Sequence, residues 1–572
     1  MSGQRQRRHA GAVVLRNARI HTFHAGHPLA HAIAIQDGRI VGYDEAALAL
    51  PGATVLDLAG RTVIPGINDT HAHMEREGLK ILRPSLAHAR CVEDVLQVIR
   101  ARAAVTPPGQ YIVTMPVGTP PYYFGGAALL AEQRLPSRQE LDAAAPGHPV
   151  YIPAPFGNWG KPPGAGALNT LALARNGLGP SSQARLGGIE LARDAAGAPT
   201  GQFIEHNPRP AIEFDLLPDV PRFGYAERLE GLKISQALYH ARGTTSIYEG
   251  HGSAPETLAV YRQLREDGAL SMRTGLVVSP SWADLDEAAR AMRDWLAIAR
   301  GRGLGDAWLR VSGVHIAFGG DPALACCARA NLPDTGWSGF VEQAVTPADF
   351  RALCLLAAEH ALRVNVIVSD RLHEVLPVLR EVDARYPLAS RRWVVQHIAR
   401  AREPDLRALQ ALGVLVTTIP TYFLWKGGAA YLDEPDGGDA VVPHARMLAL
   451  GLDPSLATDN IPYDPFFTIW SAVTRQERLT GRVIGPAQAL TARQALHAFT
   501  VAGARLTLDE DWKGPLAPGY AADLAVLDRD PLAIDPQQLR EVGCLLTMVD
   551  GRVVHDALGL APAALLRGAA AE

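Results

Sequence analysis

The run Val63-Ile64-Pro65-Gly66-Ile67-Asn68-Asp69-Thr70-His71-Ala72-His73 decides how this 572-residue chain is read. It opens as a β-branched strand and ends in two histidines at i and i+2. On an extended backbone, residues two apart share a face, so both imidazoles can reach one cation. Upstream, AVVLRNARIHTF, HAIAIQDGRIVGY and TVLDLAGRTVI alternate apolar residues with turn signals, and Asp37-Gly38 sits where a two-residue hairpin belongs. The same texture returns near the other end, in ADLAVLDRD and in CLLTMVDGRVVHD around Asp550-Gly551. Residues 1–63 and 508–572 are therefore expected to pair into one composite β-sandwich, because chain termini often lie close together.

Downstream, from about Gly243 to Arg475, strand-like runs alternate with helical ones, which favours a parallel sheet with crossover helices. GTTSIYEG reads as a strand and APETLAVYRQLREDG as a helix; SWADLDEAARAMRDWLAIARG reads as one long helix. Thr346-Pro347-Ala348-Asp349 places Thr at an N-cap and Pro at the first helical position. With RTVIPGIND as the first strand and SLATDN as the last, there are about eight strand–helix units. That is the count of a closed (β/α)8 TIM-like barrel, spanning 64–507. The Pro- and Gly-rich stretch at about 79–241 breaks the rhythm and reads as a large insertion after the first barrel strand, a lid or substrate wall.

The chain is 48% hydrophobic and 20% charged with a formal net charge of -4. It is globular, and it lacks the field needed to hold a phosphate backbone, so nucleic acid is not expected. No run approaches the length of a membrane helix. The five cysteines, Cys91, Cys326, Cys327, Cys354 and Cys544, form no CxxC pair, which points to the cytoplasm. Cys326-Cys327 reads as buried packing. Only five residues are lysines: Lys80, Lys161, Lys233, Lys426 and Lys513.

Taken together, VIPGINDTHAH, GTTSIYEG, GVHIAFGG, VVQHIAR, LATDNIPYDPF and APGYAADLAVLDRDP resemble the amidohydrolase superfamily of metal-dependent hydrolases. The resemblance covers nearly the whole chain and is strongest to the YtcJ-like branch that includes N-substituted formamide deformylase. It implies a metal at the C-terminal mouth of the barrel. His71 and His73 match the first-strand ligand pair, and Asp459 matches the last-strand aspartate that binds metal and accepts the proton of the attacking water. His397 matches the sixth-strand histidine, a second-metal ligand in binuclear members and a polarising group in mononuclear ones. Asn158 and Trp159 lie where relatives carry substrate-facing residues. Neutral imidazoles with a carboxylate suit zinc.

Two positions depart from the family pattern. His315 stands where relatives carry a lysine on the fourth strand, and the fifth strand, Val364-Asn365-Val366-Ile367-Val368-Ser369-Asp370, lacks the usual terminal histidine. One ion per chain is therefore expected, zinc first with manganese or iron as alternatives, held by His71, His73 and Asp459, with His315 as replacement ligand and His397 beside it. Glu249 and His251, ending the second strand, read as an extra ligand, a substrate contact, or a buried pair supporting other side chains.

The expected activity is hydrolysis of an amide-type C–N bond in a small molecule by a metal-activated water, with Asp459 as proton shuttle and His397 stabilising the oxyanion. Alternatives are a deaminase, cyclic amidase, isomerase or lyase of the same superfamily, and, in a different class, a binding or regulatory protein with an altered centre. A homodimer is suggested by the resemblance alone.

Overall fold

The run read as a single first strand is broken at Gly66. Thr62–Pro65 pairs antiparallel with Leu524–Leu527 and parallel with Arg19–His21, whereas Ile67–Asp69 pairs parallel with Thr244–Ser253. A Cβ at Gly66 would stand 2.2 Å from Thr245 Oγ1, so the switch from one sheet to the other needs a residue without a side chain. The structure is a computed structural model and describes residues 11–155, 161–208, 211–330, 341–562 and 565.

Eight parallel strands follow in order: β1 (Ile67–Asp69), β2 (Thr244–Ser253), β3 (Arg273–Val278), β4 (Leu309–His315), β5 (Val364–Ser369), β6 (Val394–Ile398), β7 (Leu415–Thr418) and β8 (Ser455–Leu456). The Asp459 N–H donates to the His71 carbonyl (2.9 Å) and Thr70 Oγ1 to the Leu456 carbonyl (2.9 Å), which brings the last strand back to the first. This is the (β/α)8 architecture. In β5, Val364, Val366 and Val368 face Phe350, Leu353, Leu376 and Leu379 of the outer helices, while Asn365 turns inward. That is the period-2 alternation of a strand buried on both faces. Thr346 accepts from the Asp349 N–H and starts the helix Pro347–Glu359. The long helix expected around Ala288 is shorter. Asp284 caps Leu285–Asp294, which ends at Trp295, and a 3-10 turn covers Leu296–Ala299.

Two further sheets pack around Val13, Ile20, Ile35, Val63, Val526 and Met548. One joins residues from both chain ends, in the order Arg552–Asp556, Cys544–Val549, Leu524–Leu527, Thr62–Pro65, Arg19–His21, Leu29–Ala30. The two Asp-Gly hairpins have positive φ at both central residues, as type I′ turns require: 52° and 75° at Asp37-Gly38, 56° and 71° at Asp550-Gly551. A Cβ at Gly38 would stand 2.9 Å from the Asp550 carbonyl, so the turns abut. Below the barrel, buried Arg273 gives Nε and Nη2 to Asp523 (2.6 and 3.0 Å) and Nη2 to Asp550 (3.1 Å). The Trp308 and Trp512 rings lie 4.7 and 4.9 Å from its guanidinium carbon.

These elements belong to one compact unit, Met1–Met74, Lys233–Phe318 and Val345–Glu572. The other unit, Glu75–Leu232 with Gly319–Ala344, has its own mixed five-stranded sheet and a core of Leu96, Ile99, Leu141, Val150 and Ile152. The helix Pro322–Ala330, just after β4, packs Ala328 on Leu186 and Phe214 of that unit. Its Cys326 is exposed rather than buried as the sequence suggested. No helix among the described residues is long and apolar enough to cross a membrane.

Candidate metal centre at the mouth of the barrel

Just past β1 the chain bends at Thr70 and His71, and the stretch to His73 is held on one side by the Ala72 N–H to the Tyr248 carbonyl (2.9 Å) and on the other by the Asp459–His71 backbone bond. Asp69 fastens this segment to the last strand, accepting from Thr458 Oγ1 (2.5 Å) and the Thr458 N–H (3.0 Å). Burial lifts Asp69 to about 7 against those bonds. Asn460 clamps His73 by both backbone groups, accepting its N–H (2.7 Å) and donating to its carbonyl (2.8 Å). His397, Asp459 and Asn460 all have left-handed backbones, with φ of 55°, 51° and 60°. Each such residue costs about 1–3 kcal/mol, and the distortion is the kind that collects at functional sites. Here it bends strand-end side chains back across the barrel mouth.

The donors converge. His71 Nε2 lies 3.1 Å from His397 Nε2 and 3.6 Å from Asp459 Oδ1; His73 Nε2 is 3.3 Å from the same oxygen, and His397 Nε2 is 3.9 Å from Asp459 Oδ2. All four residues are more than nine-tenths buried. Four-coordinate zinc with bonds of about 2.0–2.1 Å separates its ligands by about 3.3 Å, and these spacings bracket that value. Two donor trios form among the described residues: His71, His397 and Asp459, and His71, His73 and His251. Burial first, and then the adjacent His71, hold His397 down to about 3, so it is neutral at pH 7. Neutral imidazoles and one carboxylate are a donor set that fits a divalent cation.

A chain of hydrogen bonds through the barrel interior sets the tautomer of His71. Arg363 Nη1 donates to the Tyr248 hydroxyl (3.1 Å), which donates to Asn365 Oδ1 (3.1 Å). Gln396 Nε2 donates to the same oxygen (3.3 Å) and to the Gly250 carbonyl (2.8 Å), and Gln396 Oε1 accepts from His71 Nδ1. With its proton on Nδ1, His71 presents a lone pair at Nε2. Without an ion on that lone pair, the 3.1 Å contact makes His397 the donor, through Nε2–H.

The expected residues fall into place unequally. His315 belongs to neither trio; its Nδ1 lies 3.1 Å from the Asn365 carbonyl and its ring meets His251 edge-on at 4.8 Å. Glu249 is buried and supports the frame. Its Oε1 accepts from the Met74 N–H (3.0 Å) and the Tyr261 hydroxyl (2.7 Å), and its Oε2 stands 3.7 Å from His73 Nδ1. His251, read as an extra ligand, a substrate contact or half of a buried pair, stands in the second trio. Asn158 and Trp159 lie outside the described residues.

Sequence reading passed over Gln396 and the wall after β7. There a π-helix, Thr421–Lys426, sets the Tyr422 and Phe423 rings 6.2 and 6.1 Å from His397. Such helices are often functional, and TYFLWK after a strand end was the available signal. Burial holds Lys426 on this turn down to about 7, partly offset by Asp459. Beyond β5 and β6 a cleft of about 590 Å³ opens, lined by Asp370, His373, Arg400 and Arg402.

A family model described as "Amidohydrolase family" matches residues 54–555. The chain is 27% identical over 576 residues to N-substituted formamide deformylase of Arthrobacter pascens, covering 95% of this chain and 98% of that one. It is 23% identical to YtcJ of Bacillus subtilis (strain 168), covering 92% and 96%. The crystal structure of a metal-dependent hydrolase from Pyrococcus horikoshii OT3 superposes with a TM-score of 0.66 at 20% identity, over 92% of this chain and 99% of that one, a likeness of fold.

Proposed function

Because the chain belongs to the amidohydrolase family, we propose that it hydrolyses an amide-type, non-peptide C–N bond of a small molecule, with His71, His73 and Asp459 holding a divalent ion. The observation that carries this reading is the convergence of His71 and His73 Nε2 on Asp459 Oδ1, at 3.6 and 3.3 Å, on the C-terminal ends of β1 and β8, with His397 of β6 beside them. When bound, such an ion acidifies a water to a pKa near 7 and polarises a carbonyl. Zinc suits the nitrogen-rich donors best, with manganese and iron as alternatives.

Asp459 turns Oδ1 toward His71 and His73, which leaves Oδ2 to take a proton from the attacking water and return it to the leaving nitrogen. His397, neutral and carrying its proton on Nε2, donates to the developing oxyanion. Tyr422 and Phe423 close off one side of His397 from water. The relative from Arthrobacter pascens, named for deformylation of N-substituted formamides, supports an acyclic amide over a ring as substrate. None of the five cysteines, all among the described residues, is in a disulfide, which supports a reducing, cytoplasmic setting.

The test is a screen of zinc-, manganese- and iron-loaded protein for amine release from N-substituted formamides and simple N-acyl amines. Asp459→Asn should lower kcat by about 10²–10⁴ with KM within a few-fold. Fully loaded protein that turns over no C–N substrate would move the reading to a binding or regulatory role.

A further inference from the structure

The segment Gly250-His251-Gly252 at the end of β2 is built around its histidine. A Cβ at Gly250 would stand 2.5 Å from Gln396 Oε1 and 2.9 Å from His71 Nδ1; one at Gly252 would stand 2.7 Å from Ser279 Cβ and 3.0 Å from His315 Cβ. Gly252 also has φ +91°, which side chains rarely adopt. Neither neighbour can carry a side chain, so β2 delivers one group into this space, the His251 imidazole. Its ring centre lies 5.7 Å from that of His73 and 6.1 Å from that of His71. One nitrogen of each of the three lies within 4.8 Å of the others.

The two trios share His71, and its Nδ1 is committed to Gln396. Nε2 therefore serves both, and an imidazole nitrogen has a single lone pair. His71 can thus serve only one ion, and His397, whose Nε2 carries a proton, lies beside that ion rather than on it. We propose that His251 is a ligand of the ion held by His71, His73 and Asp459, and that His315 is the positioning residue that orients His251. His315 is itself fixed from behind, through Nδ1 to the Asn365 carbonyl (3.1 Å), and presents its ring edge-on to His251 at an interplanar angle of 61°. The resulting sphere of three neutral imidazoles and one carboxylate selects zinc or cobalt over magnesium or manganese. This inference rests on the proposed ion site and adds a ligand to it.

The experiment uses full-length protein stripped with a chelator and titrated with Co²⁺. It compares the unmodified chain with His251→Gln, His315→Gln and His251→Asp; dialysis gives stoichiometry, X-ray absorption counts imidazoles, and melting curves check folding. We expect one ion per chain and three imidazoles. His251→Gln should bind about 100-fold more weakly with one imidazole fewer, and His251→Asp, which restores a donor, should recover most of the affinity. His315→Gln should lose about 10- to 100-fold with the imidazole count unchanged. Undiminished affinity and count in His251→Gln, or two ions per chain, would overturn the assignment. Loss of an imidazole in His315→Gln would make that residue a ligand and refute its positioning role. If the unmodified chain takes up no ion, the proposed function fails before this inference is reached.

Discussion

Replacing Arg273 by Met tests how the composite sheet is fastened under the barrel. The substitution keeps length and apolar contact with Trp308 and Trp512 but deletes the cation. The Asp523 carboxylate is then left buried, with the Asp550 N–H (2.8 Å) as its remaining bond. Lys513 cannot take over, because Asp509 (3.1 Å) and Ser246 (2.8 Å) hold it. Removing one member of a buried ion pair costs about 3–5 kcal/mol, mostly the penalty of the charge left behind. A unit of roughly 390 residues, at about 2.1 cal/mol/K of unfolding entropy per residue, converts this to a Tm lowered by about 4–6 °C. Calorimetry at pH 7 reads it directly. Adding Asp523→Asn removes the stranded charge while keeping an acceptor for the Asp550 N–H, and should recover more than half the loss. A single-variant shift under about 1 °C, or a double variant no better than the single, would refute the reasoning.

Three further expectations follow from the geometry. Gln396→Leu strips the acceptor from His71 Nδ1 and should weaken metal binding about 10- to 100-fold in a protein that still folds, as isothermal titration against a competing chelator would show. His444 is buried and held down to about 3, with its Nε2 2.7 Å from Thr418 Oγ1. The unfolded chain therefore takes up a proton there between about pH 6.5 and 3 that the folded state refuses, and stability drops as pH falls through that window; His444→Gln should flatten the acid limb of a Tm-against-pH curve measured without metal. Gly66→Ala should lower Tm by overpacking against Thr245, and Thr245→Gly should restore most of it; equal melting of the two Gly66→Ala proteins would count against the clash.

His71 and His73 were legible because an i, i+2 histidine pair at a strand end is a local pattern, even though the chain bends at Thr70 and His71 instead of staying extended. The Asp-Gly turns and the Thr346 cap were legible for the same reason, each written in two to four neighbouring residues. Gln396 was not. It adjoins His397, and neighbours on a regular strand point to opposite faces, so a reading that aims one at the site aims the other away. The left-handed backbone at His397 breaks that rule and lets both converge. The break at Gly66 was equally hidden, because its cause, Thr245, lies far along the sequence. That His251 rather than His315 stands in a donor trio was hidden as well, because the packing around Gly250 and Gly252 is not a property of strand order.

The pairing of Thr62–Pro65 with Leu524–Leu527 also has a consequence in time. Val63 meets Val526 in the finished sheet, so the strand leaves the ribosome about 460 residues before its partner exists. At 5–20 residues per second, that is a wait on the order of half a minute to a minute and a half, during which its apolar face lacks its native cover. This strand is thus made long before the sheet around it can close. A nascent chain stalled before Leu524 would present the strand edge that Leu524–Leu527 later covers to chaperones or to another copy of itself.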